Sequence, residues 1–442
     1  MMFDALVLSI AAFATLAWGG NEPWAFALVA IATTALLAAR ALQGLWRGGR
    51  RISAAPVGVP CILFLAWVAL QWLFWSVEPH TTRLYLLLAL SSVGLLGLAA
   101  SGSRARSDLR RLVVAVAVLG AFEAAYGLVQ YLGGCEYIWN YRRISSQGVA
   151  TGTLINRNHY ALLMNLFLAS TAGYLYYRTE RILQGEAFSP IRLVRLPGSG
   201  NLLWILLWIV LMGLAVVGSL SRTGIAAMFC SILAMMLAAR TMHSKRRGAV
   251  FGGALVSGIL VLAAYTGIDE VLARYESLPA QWQSDRDRPA LWRDAWPMAR
   301  KRLAFGSGLG TFRWTYPAYE TVQPDVPARY AHNDYLQAVA ETGVAGLGLL
   351  LWAFAALGRE AYRNFRYSRD PLVRGIGLGT IGWMAAMAVQ EMTDFGMYIP
   401  GVVLMAAFVA GLNLRARRMD PLAVAPASGA GHSGAGSHRR EF

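Results

Sequence analysis

Residues 201–240 read NLLWILLWIVLMGLAVVGSLSRTGIAAMFCSILAMMLAAR. The stretch holds two apolar runs, at 201–219 and 223–240, and only a tight turn separates them. A helix of about 17 to 25 apolar residues is long enough to cross the ~30 Å hydrocarbon core of a bilayer. The stretch therefore predicts two helices that cross a membrane in succession.

The same pattern recurs along the whole chain. Of its 442 residues, 56% are hydrophobic and only 14% are charged, and the mean hydropathy is +0.45. A soluble domain needs more polar surface than this composition supplies. We therefore predict an all-α polytopic membrane protein with about twelve transmembrane helices. The predicted spans are residues 3–19, 24–44, 56–76, 83–101, 112–132, 158–177, 201–219, 223–240, 249–268, 333–357, 375–393 and 398–414.

The basic residues indicate how the chain is oriented. A net charge of +16 could indicate nucleic-acid binding, but the Arg and Lys residues fall in short blocks within every second loop. Cytoplasmic loops of membrane proteins collect basic residues in this way. We therefore predict a multi-pass membrane protein whose N-terminus is inside. The blocks contain Arg47, Arg50 and Arg51; Arg104, Arg106, Arg110 and Arg111; Arg178, Arg181, Arg192 and Arg195; Lys245, Arg246 and Arg247; Arg359, Arg363, Arg366 and Arg369; and Arg415, Arg417 and Arg418.

The loops and the tail divide the chain into three parts. Residues 1–150 hold the first five spans, and residues 151–415 form a core that includes a long outer loop at 269–332. An ordered loop of that length inside a compact fold is usually functional. Residues 416–442 are rich in Ala, Gly, Ser and Pro, which predicts a disordered cytoplasmic tail.

One helix is predicted within the long loop, from Pro289 to Lys301. Proline is tolerated in the first turn of a helix, and apolar residues recur at helical spacing after it. Such a helix could lie on the membrane surface, or on the transmembrane bundle as a lid. Pro297 predicts a kink or an early end.

Four polar clusters lie at the outer ends of the predicted spans or, in one case, within the long loop. Ionisable groups at membrane depth are costly, so their presence there indicates function. The predicted topology places all four clusters on the outer face. They are Asn156-Arg157-Asn158-His159, Ser221-Arg222-Thr223-Gly224, Asp285-Arg286-Asp287-Arg288 and Arg329-Tyr330-Ala331-His332-Asn333-Asp334.

Three residues of these clusters could carry chemistry, and each has a structural alternative. Arg222 could clamp a phosphate with its bidentate fork, or it could snorkel to the interface or cap helix carbonyl groups. Arg288 could bind the same anion, or it could be an ordinary solvated arginine of a loop. His332 could act as a general base on a hydroxyl group, or it could cap the helix that follows.

Metal and cofactor sites are weakly indicated. Asp285 and Asp287 form an Asp-x-Asp pair of the kind that holds a divalent metal in many glycosyltransferases. The interleaved Arg286 and Arg288 favour mutual salt bridges, so metal binding is the minority interpretation. The glycines of 306–310 lack the preceding strand and following helix of a dinucleotide site. No cofactor is therefore predicted.

Three further carboxylates, Glu123, Glu341 and Glu391, lie within or near spans. Each is expected to pair with an inward-facing arginine. A path for protons or substrate is the alternative.

Three segments of the sequence resemble those of a known protein family. The segment His332–Gln337 (HNDYLQ), followed by Glu341–Gly346 (ETGVAG), resembles the signature of the O-antigen ligase and Wzy-type polymerase superfamily. Ser221–Gly224 resembles its arginine turn. Arg288–Trp292, continued through Gly306–Phe312, is similar to its large periplasmic loop. The likeness covers roughly residues 150 to 400.

The resemblance implies a membrane glycosyltransferase of the GT-C type that needs no metal. It would be a multi-pass protein of the bacterial inner (cytoplasmic) membrane, with its active site facing the periplasm. Its donor would be a glycan linked to undecaprenyl pyrophosphate, and its acceptor would be lipid A-core or another lipid-linked glycan. Carried over by position, Arg222 and Arg288 would hold the pyrophosphate, and His332 would activate the acceptor hydroxyl. The candidate substrate-binding residues beside them are Arg157, Asn158, His159, Arg329 and Asn333.

The chemistry of such a transfer also fits the residues by themselves. A pyrophosphate leaving group gains negative charge as the anomeric bond breaks, and fixed arginines stabilise that charge. A hydroxyl that attacks from the opposite side would invert the anomeric carbon. The alternative class is a transporter or flippase of lipid-linked glycans, which would use the same arginines without cleaving a bond. A structural membrane subunit would leave the long loop without a purpose.

Overall fold

The computed structural model describes residues 2–46, 56–143, 146–183, 200–240, 288–321 and 328–420. In these ranges the chain forms thirteen α-helices, short 3-10 turns and one two-stranded β-hairpin. The helices are α1 Met2–Leu16, α2 Pro23–Trp46, α3 Gly58–Phe74, α4 Pro79–Ala100, α5 Arg106–Leu132, α6 Arg157–Leu183, α7 Gly200–Gly218, α8 Arg222–Arg240, α9 Arg288–Lys301, α10 Phe312–Thr315, α11 Asp334–Tyr367, α12 Pro371–Gln390 and α13 Pro400–Arg417; the strands are β1 Tyr137–Ile138 and β2 Tyr141–Arg142. Eleven of the twelve predicted spans coincide with helices, and the ninth, at 249–268, lies outside the described residues.

Seven of the described helices are long and apolar enough to cross a membrane, namely α2, α4, α5, α7, α8, α11 and α12. The shorter helices α1 and α3 are also apolar. An all-α polytopic membrane protein is therefore confirmed. The helices α6 and α13 were predicted as spans too, and most of their residues are buried inside the bundle. Protein rather than lipid surrounds them, which explains why they tolerate polar residues such as Asn165 and Asn413.

Close contact between α6 and α12 forms the centre of the bundle. Gly173 of α6 faces Gly375 of α12, and a Cβ atom on either residue would collide with the carbonyl oxygen of the other. Small residues let membrane helices approach in this way, and association then depends on van der Waals packing. The sequence of α6 is thus adapted to neighbouring helices on every side.

The basic blocks gather at one end of the bundle, which we call the arginine-rich end. The guanidinium group of Arg415 at the end of α13 pairs with Asp4 of α1 at 2.9 Å, and Arg106 of α5 pairs with Asp370 at 2.8 Å. The first of these pairs is buried. Loops that were predicted to share one side of the membrane therefore do meet. The blocks at 47–51, 192–195 and 245–247 lie outside the described residues.

The helix α9 packs across the other end of the bundle. Its buried residues Ala295, Met298 and Ala299 contact Phe312 and Tyr316 of the following segment. The helix continues past Pro297 to Lys301, so the early end predicted from that proline is wrong. Packing on both sides of the proline compensates for the backbone hydrogen bond that it removes.

The helix α11 is interrupted, although its sequence predicted one continuous span. Gly343 has φ 69° and ψ 178°, a conformation that is essentially restricted to glycine. The interruption lets the backbone N–H of Val344 donate to the carbonyl oxygen of Leu303 at 2.8 Å. The segment that follows α9 is therefore fixed against α11.

One arginine fixes the segment between α5 and α6. The side chain of Arg143 is buried and donates to the carbonyl oxygens of Cys135 and Val149 and to the Thr151 hydroxyl, at 2.7 to 3.1 Å. These bonds fix the chain just before it enters α6.

At the C-terminal end, the contacts of α13 extend to Asp420, and residues 421–442 lie outside the described ranges.

Candidate functional site

The first turns of three helices contact one short segment at the end of the bundle opposite the arginine-rich end, and the first turn of a fourth lies near it. This segment, Thr393–Phe395, connects α12 to α13. It contacts the beginnings of α6, α8 and α11, and it lies within electrostatic range of Arg288 at the start of α9. The N-terminus of a helix carries partial positive charge and free N–H groups, so it favours anions. The arrangement can therefore bind a negatively charged ligand.

Phe395 brings the two predicted histidines to one ring. The ring centroid of Phe395 lies 4.5 Å from that of His159 and 4.8 Å from that of His332, and both imidazoles meet it edge to face. Tyr330 stacks on Phe395 with a centroid distance of 4.1 Å and an interplanar angle of 8°. His159 at the start of α6 and His332 before α11 therefore meet in one cluster of side chains, called the pocket below, although 172 residues lie between them in the chain.

Asp394 supplies the negative charge of this pocket. Its Oδ1 lies 3.6 Å from Nε2 of His159, and both side chains are buried. Burial by itself raises the pKa of Asp394, but the nearby His159, Arg288 and His332 outweigh it and hold the pKa below its usual value. The carboxylate is therefore ionised at neutral pH. Asp394 was not singled out from the sequence.

The backbone around His332 is fixed from both sides. His332 has φ 49°, in the left-handed region that non-glycine residues rarely adopt. The peptide before it is clamped, because the N–H of Ala331 donates to Oε1 of Gln337 at 2.8 Å and its carbonyl oxygen accepts from the indole of Trp292 at 2.9 Å. Asn333 caps α11, since its Oδ1 accepts the N–H three residues later at 3.0 Å. The capping role considered for His332 therefore belongs to Asn333.

The imidazole of His332 is neutral at neutral pH. Burial and the neighbouring positive charge of Arg288 lower its pKa to about 4, and the opposite effect of Asp394 is smaller. Its Nδ1 is buried and has no hydrogen-bond partner among the described residues. A neutral ring nitrogen that no protein group occupies can accept a proton from a ligand.

Arg222 lies at the start of α8, beside the same segment. The turn before it contains Leu220 at φ 52°, and the hydroxyl of Ser221 accepts from the N–H of Gly224 at 3.2 Å as a helix cap. The hydroxyl groups of Thr223 and Thr393 are 2.7 Å apart. The residue that follows Arg222 therefore contacts the 393–395 segment directly.

The remaining predicted site residues divide into two groups. Arg157, Asn158 and His159 form the first turn of α6, where the carbonyl oxygen of Asn158 accepts from the side chain of Gln390 of α12 at 2.6 Å. Arg329, in contrast, is exposed. The predicted pair Asp285 and Asp287 lies outside the described residues, and no group of three or more metal-binding side chains occurs within them.

Among the described residues, Glu123, Glu341 and Glu391 do not form the arginine pairs that the sequence predicted, and Glu391 accepts instead from the backbone N–H of Gly396 at 2.8 Å. Glu341 accepts from the backbone N–H of Gly310 at 2.6 Å and from the hydroxyl of Tyr398 at 2.7 Å. Glu123 accepts from the backbone and the hydroxyl of Thr153. Each carboxylate fixes an outer segment to a helix, because backbone N–H groups satisfy it in place of a cation.

A comparison with protein families finds one match within the chain. Residues 207–351, about a third of the chain, match the family model described as O-antigen ligase. The matched range contains Arg222, Arg288 and His332, whereas His159 and Asp394 lie outside it. The match confirms the resemblance to the O-antigen ligase and Wzy-type polymerase superfamily, and it implies an enzyme of the glycosyltransferase type. A comparison with curated proteins gives no match.

Proposed function

We propose that the protein transfers a glycan from an undecaprenyl-pyrophosphate carrier to a hydroxyl group of an acceptor, on the periplasmic face of the bacterial inner membrane. The acceptor would be lipid A-core in a ligase, or another lipid-linked glycan in a polymerase. The observation that carries the proposal is that His159 and His332 flank Phe395, with Asp394 3.6 Å from His159 and Arg288 within electrostatic range, at the end opposite the arginine-rich end.

Donor binding would use the positive charge of the pocket. The guanidinium groups of Arg222 and Arg288 would contact the pyrophosphate, and the helix N-termini around them add partial positive charge. The leaving pyrophosphate gains charge as the glycosidic bond breaks, so groups that are already in place stabilise the transition state more than the ground state. Loss of one such donor commonly costs about 10² to 10³ in rate.

Acceptor activation would use the neutral imidazole of His332. The acceptor oxygen bonds to the anomeric carbon from the face opposite the leaving group, while the electron pair of the broken bond passes to the pyrophosphate oxygen. The hydroxyl proton goes to Nδ1 of His332. A bound pyrophosphate would offset the charge of Arg288, so the pKa of His332 would rise from about 4 as the donor binds. The imidazole would then accept the proton more readily, and the product would be inverted.

Asp394 and His159 would stabilise the protonated form of His332 electrostatically. An ionised Asp394 stabilises the imidazolium form of His332 after proton transfer, because opposite charges close together favour the charged form. His159 holds the carboxylate from the other side. The pair would therefore act as the electrostatic counterpart of the base.

Two arginines supply the charge that a divalent metal would supply in other transferases, which supports a metal-independent reaction. The test is the purified protein in a chelator, with lipid-linked donor and acceptor. We expect glycan transfer and release of undecaprenyl pyrophosphate without added metal. Restoration of activity only by a divalent cation would contradict this part of the proposal.

A transporter or flippase of lipid-linked glycans is the second candidate. It would need the arginines to bind pyrophosphate, but it has no use for the histidine and aspartate pocket. In proteoliposomes that hold labelled donor, a flippase would move the label across the bilayer and release no undecaprenyl pyrophosphate.

Deletion of the gene distinguishes a ligase from a polymerase. Cells that lack a ligase would accumulate lipid-linked polymer, and cells that lack a polymerase would accumulate single lipid-linked repeats.

A further inference from the structure

The helix α9 leads from the site to the side of the bundle. Arg288 at its first turn belongs to the pocket, and Lys301 ends the helix about 20 Å away, since each residue adds ~1.5 Å. The chain then follows the end of α3. The ring of Phe305 stacks on Trp67 of α3 at 5.8 Å, and its carbonyl oxygen accepts from the side chain of Gln71 at 2.7 Å. The end of α9 is thereby attached to a membrane helix.

The place on α3 to which Phe305 is attached indicates the depth of this segment in the membrane. The apolar run of α3 ends at Phe74, and its last turn carries Leu73 and Phe74 with exposed fractions of 61% and 73%. Trp72 and Trp75 flank them, and tryptophan collects at membrane–water interfaces. Phe305 lies 5.7 Å from Trp75 between ring centroids. The segment after α9 therefore lies at the boundary between hydrocarbon and head groups.

The exposed residues at this boundary combine cations with apolar groups. All six residues of 300–305 (RKRLAF) are exposed, and Trp296 is exposed one turn before them. Arg300, Lys301 and Arg302 follow one another, and none of them forms an ion pair with a carboxylate of the described ranges. Segments with this combination bind anionic membrane surfaces.

We propose that Trp296 and residues 300–305, which we call the interfacial segment, bind the phosphate head groups of anionic membrane lipids. The three cations would contact lipid phosphates, while the side chains of Leu303 and Phe305 would insert among the first methylene groups. An acidic soluble protein is the alternative occupant, but the packing of Phe305 on Trp67 and Trp75 of α3 places this segment beside the membrane. The level of Trp75 therefore favours a lipid.

The consequence for the site is mechanical. Because α9 is one continuous helix, a lipid held at residues 300–305 fixes the height of Arg288 relative to the membrane. Anionic lipid would then hold α9 at the level at which its first turn meets the pocket. This link is separate from the lipid binding itself, which does not depend on the proposed glycan transfer.

The binding is tested by hydrogen–deuterium exchange of the full chain in nanodiscs without any glycan substrate. The discs contain phosphatidylcholine alone, or phosphatidylcholine mixed with phosphatidylglycerol. We expect amides of 300–306 to exchange about tenfold more slowly in the mixed discs. Each basic residue near an anionic surface strengthens binding by roughly fivefold. The triple variant Arg300→Gln, Lys301→Gln, Arg302→Gln should therefore lose the difference.

Two controls make the result specific. The matched triple variant Arg359→Gln, Arg366→Gln, Arg369→Gln removes three exposed cations from the arginine-rich end and should keep the lipid effect at 300–306. In the unchanged protein, salt at about 1 M shortens the Debye length to ~3 Å and should reduce the effect without any substitution. Equal exchange in both kinds of disc would overturn the proposal. So would equal protection by inorganic phosphate added to phosphatidylcholine discs, because that result identifies a site for free anions.

Discussion

The indole of Trp292 donates a hydrogen bond to the carbonyl oxygen of Ala331 at 2.9 Å, and so joins the helix that begins at Arg288 to the residue before His332. Two groups of the pocket that come from distant parts of the chain are thereby held at a fixed separation. Bonds of this kind restrict the reacting groups to the productive geometry before the substrate binds.

Replacement of Trp292 by Phe should lower kcat by about tenfold and leave the protein folded. The variant keeps most of the apolar contact and loses one hydrogen bond, which contributes about 1 kcal/mol. Steady-state kinetics and the melting temperature in detergent check this. The matched control is Trp204→Phe, which changes an exposed tryptophan of α7. An equal loss of kcat in both variants would show that the bond to Ala331 does not position the base.

The dependence of kcat/KM on pH should follow His332. A base must be neutral to accept a proton, and the pKa of His332 in the free protein is about 4. Activity should therefore be constant from neutral pH down to about 5 and fall as the pH passes through about 4. A limb near the usual histidine value of ~6.5 would contradict the assignment.

Removal of Arg288 should raise the pKa of His332, because a neighbouring cation disfavours the imidazolium form. The shift in Arg288→Gln can be followed by NMR of labelled histidine, even where the variant is inactive. Arg359→Gln at the arginine-rich end is the control and should leave the pKa unchanged. An unchanged pKa of His332 in Arg288→Gln would show that the two side chains do not interact.

Replacement of Asp394 by Asn should have the opposite effect on the same histidine. The carboxylate raises the pKa of His332, so its loss should lower that pKa further and reduce kcat by about 10². Asp108→Asn, which removes the partly buried partner of the exposed Arg111, is the matched control and should retain activity. Full activity in Asp394→Asn would remove the aspartate from the mechanism.

Arg222 and Arg240 stand at the two ends of α8 and provide a controlled comparison. Arg222→Ala should lower kcat/KM by about 10² to 10³, and Arg222→Lys should recover only part of it, because lysine lacks the bidentate fork. Arg240→Ala should be nearly neutral. Equal losses at both ends would indicate an effect on insertion or folding, which the amount of protein in the membrane would reveal.

The interruption of α11 should be sensitive to one methyl group. In Gly343→Ala the new Cβ would meet the carbonyl of Ala304, and the backbone would be strained as well, so we expect a loss of about 1 to 3 kcal/mol in stability. Gly348→Ala is the matched control, since open space surrounds that position. It should be neutral or slightly stabilising, because alanine is the better helix former. Equal melting temperatures for the two variants would contradict the described geometry.

The sequence predicted the spans and the two ends of the bundle well, because apolar length and the basic blocks act locally. It did not predict which helices are covered by protein, since α6 and α13 have lengths like those of lipid-facing spans. The break at Gly343 was also missed. A single glycine in an apolar run does not show that the backbone N–H after it will bond to a carbonyl group of the preceding loop, as Val344 does to Leu303.

The candidate site was predicted in part. The turn before α8 and the histidine before α11 stood out because charged groups there are costly. Asp394 has the same property, but it lies beyond the motif that ends at Gly346 and just past the predicted end of a span at 375–393. The capping role of Asn333 could have been predicted, since asparagine is a preferred residue immediately before a helix.

The central claim is that Arg222 and Arg288 hold the pyrophosphate of a lipid-linked donor beside His332. A structure of the inactive His332→Ala variant with bound donor, determined by cryo-electron microscopy, tests it most directly. The account predicts both guanidinium groups within hydrogen-bonding distance of the pyrophosphate, and the anomeric carbon facing residue 332. Density for the pyrophosphate at the arginine-rich end, or away from the 393–395 segment, would contradict it.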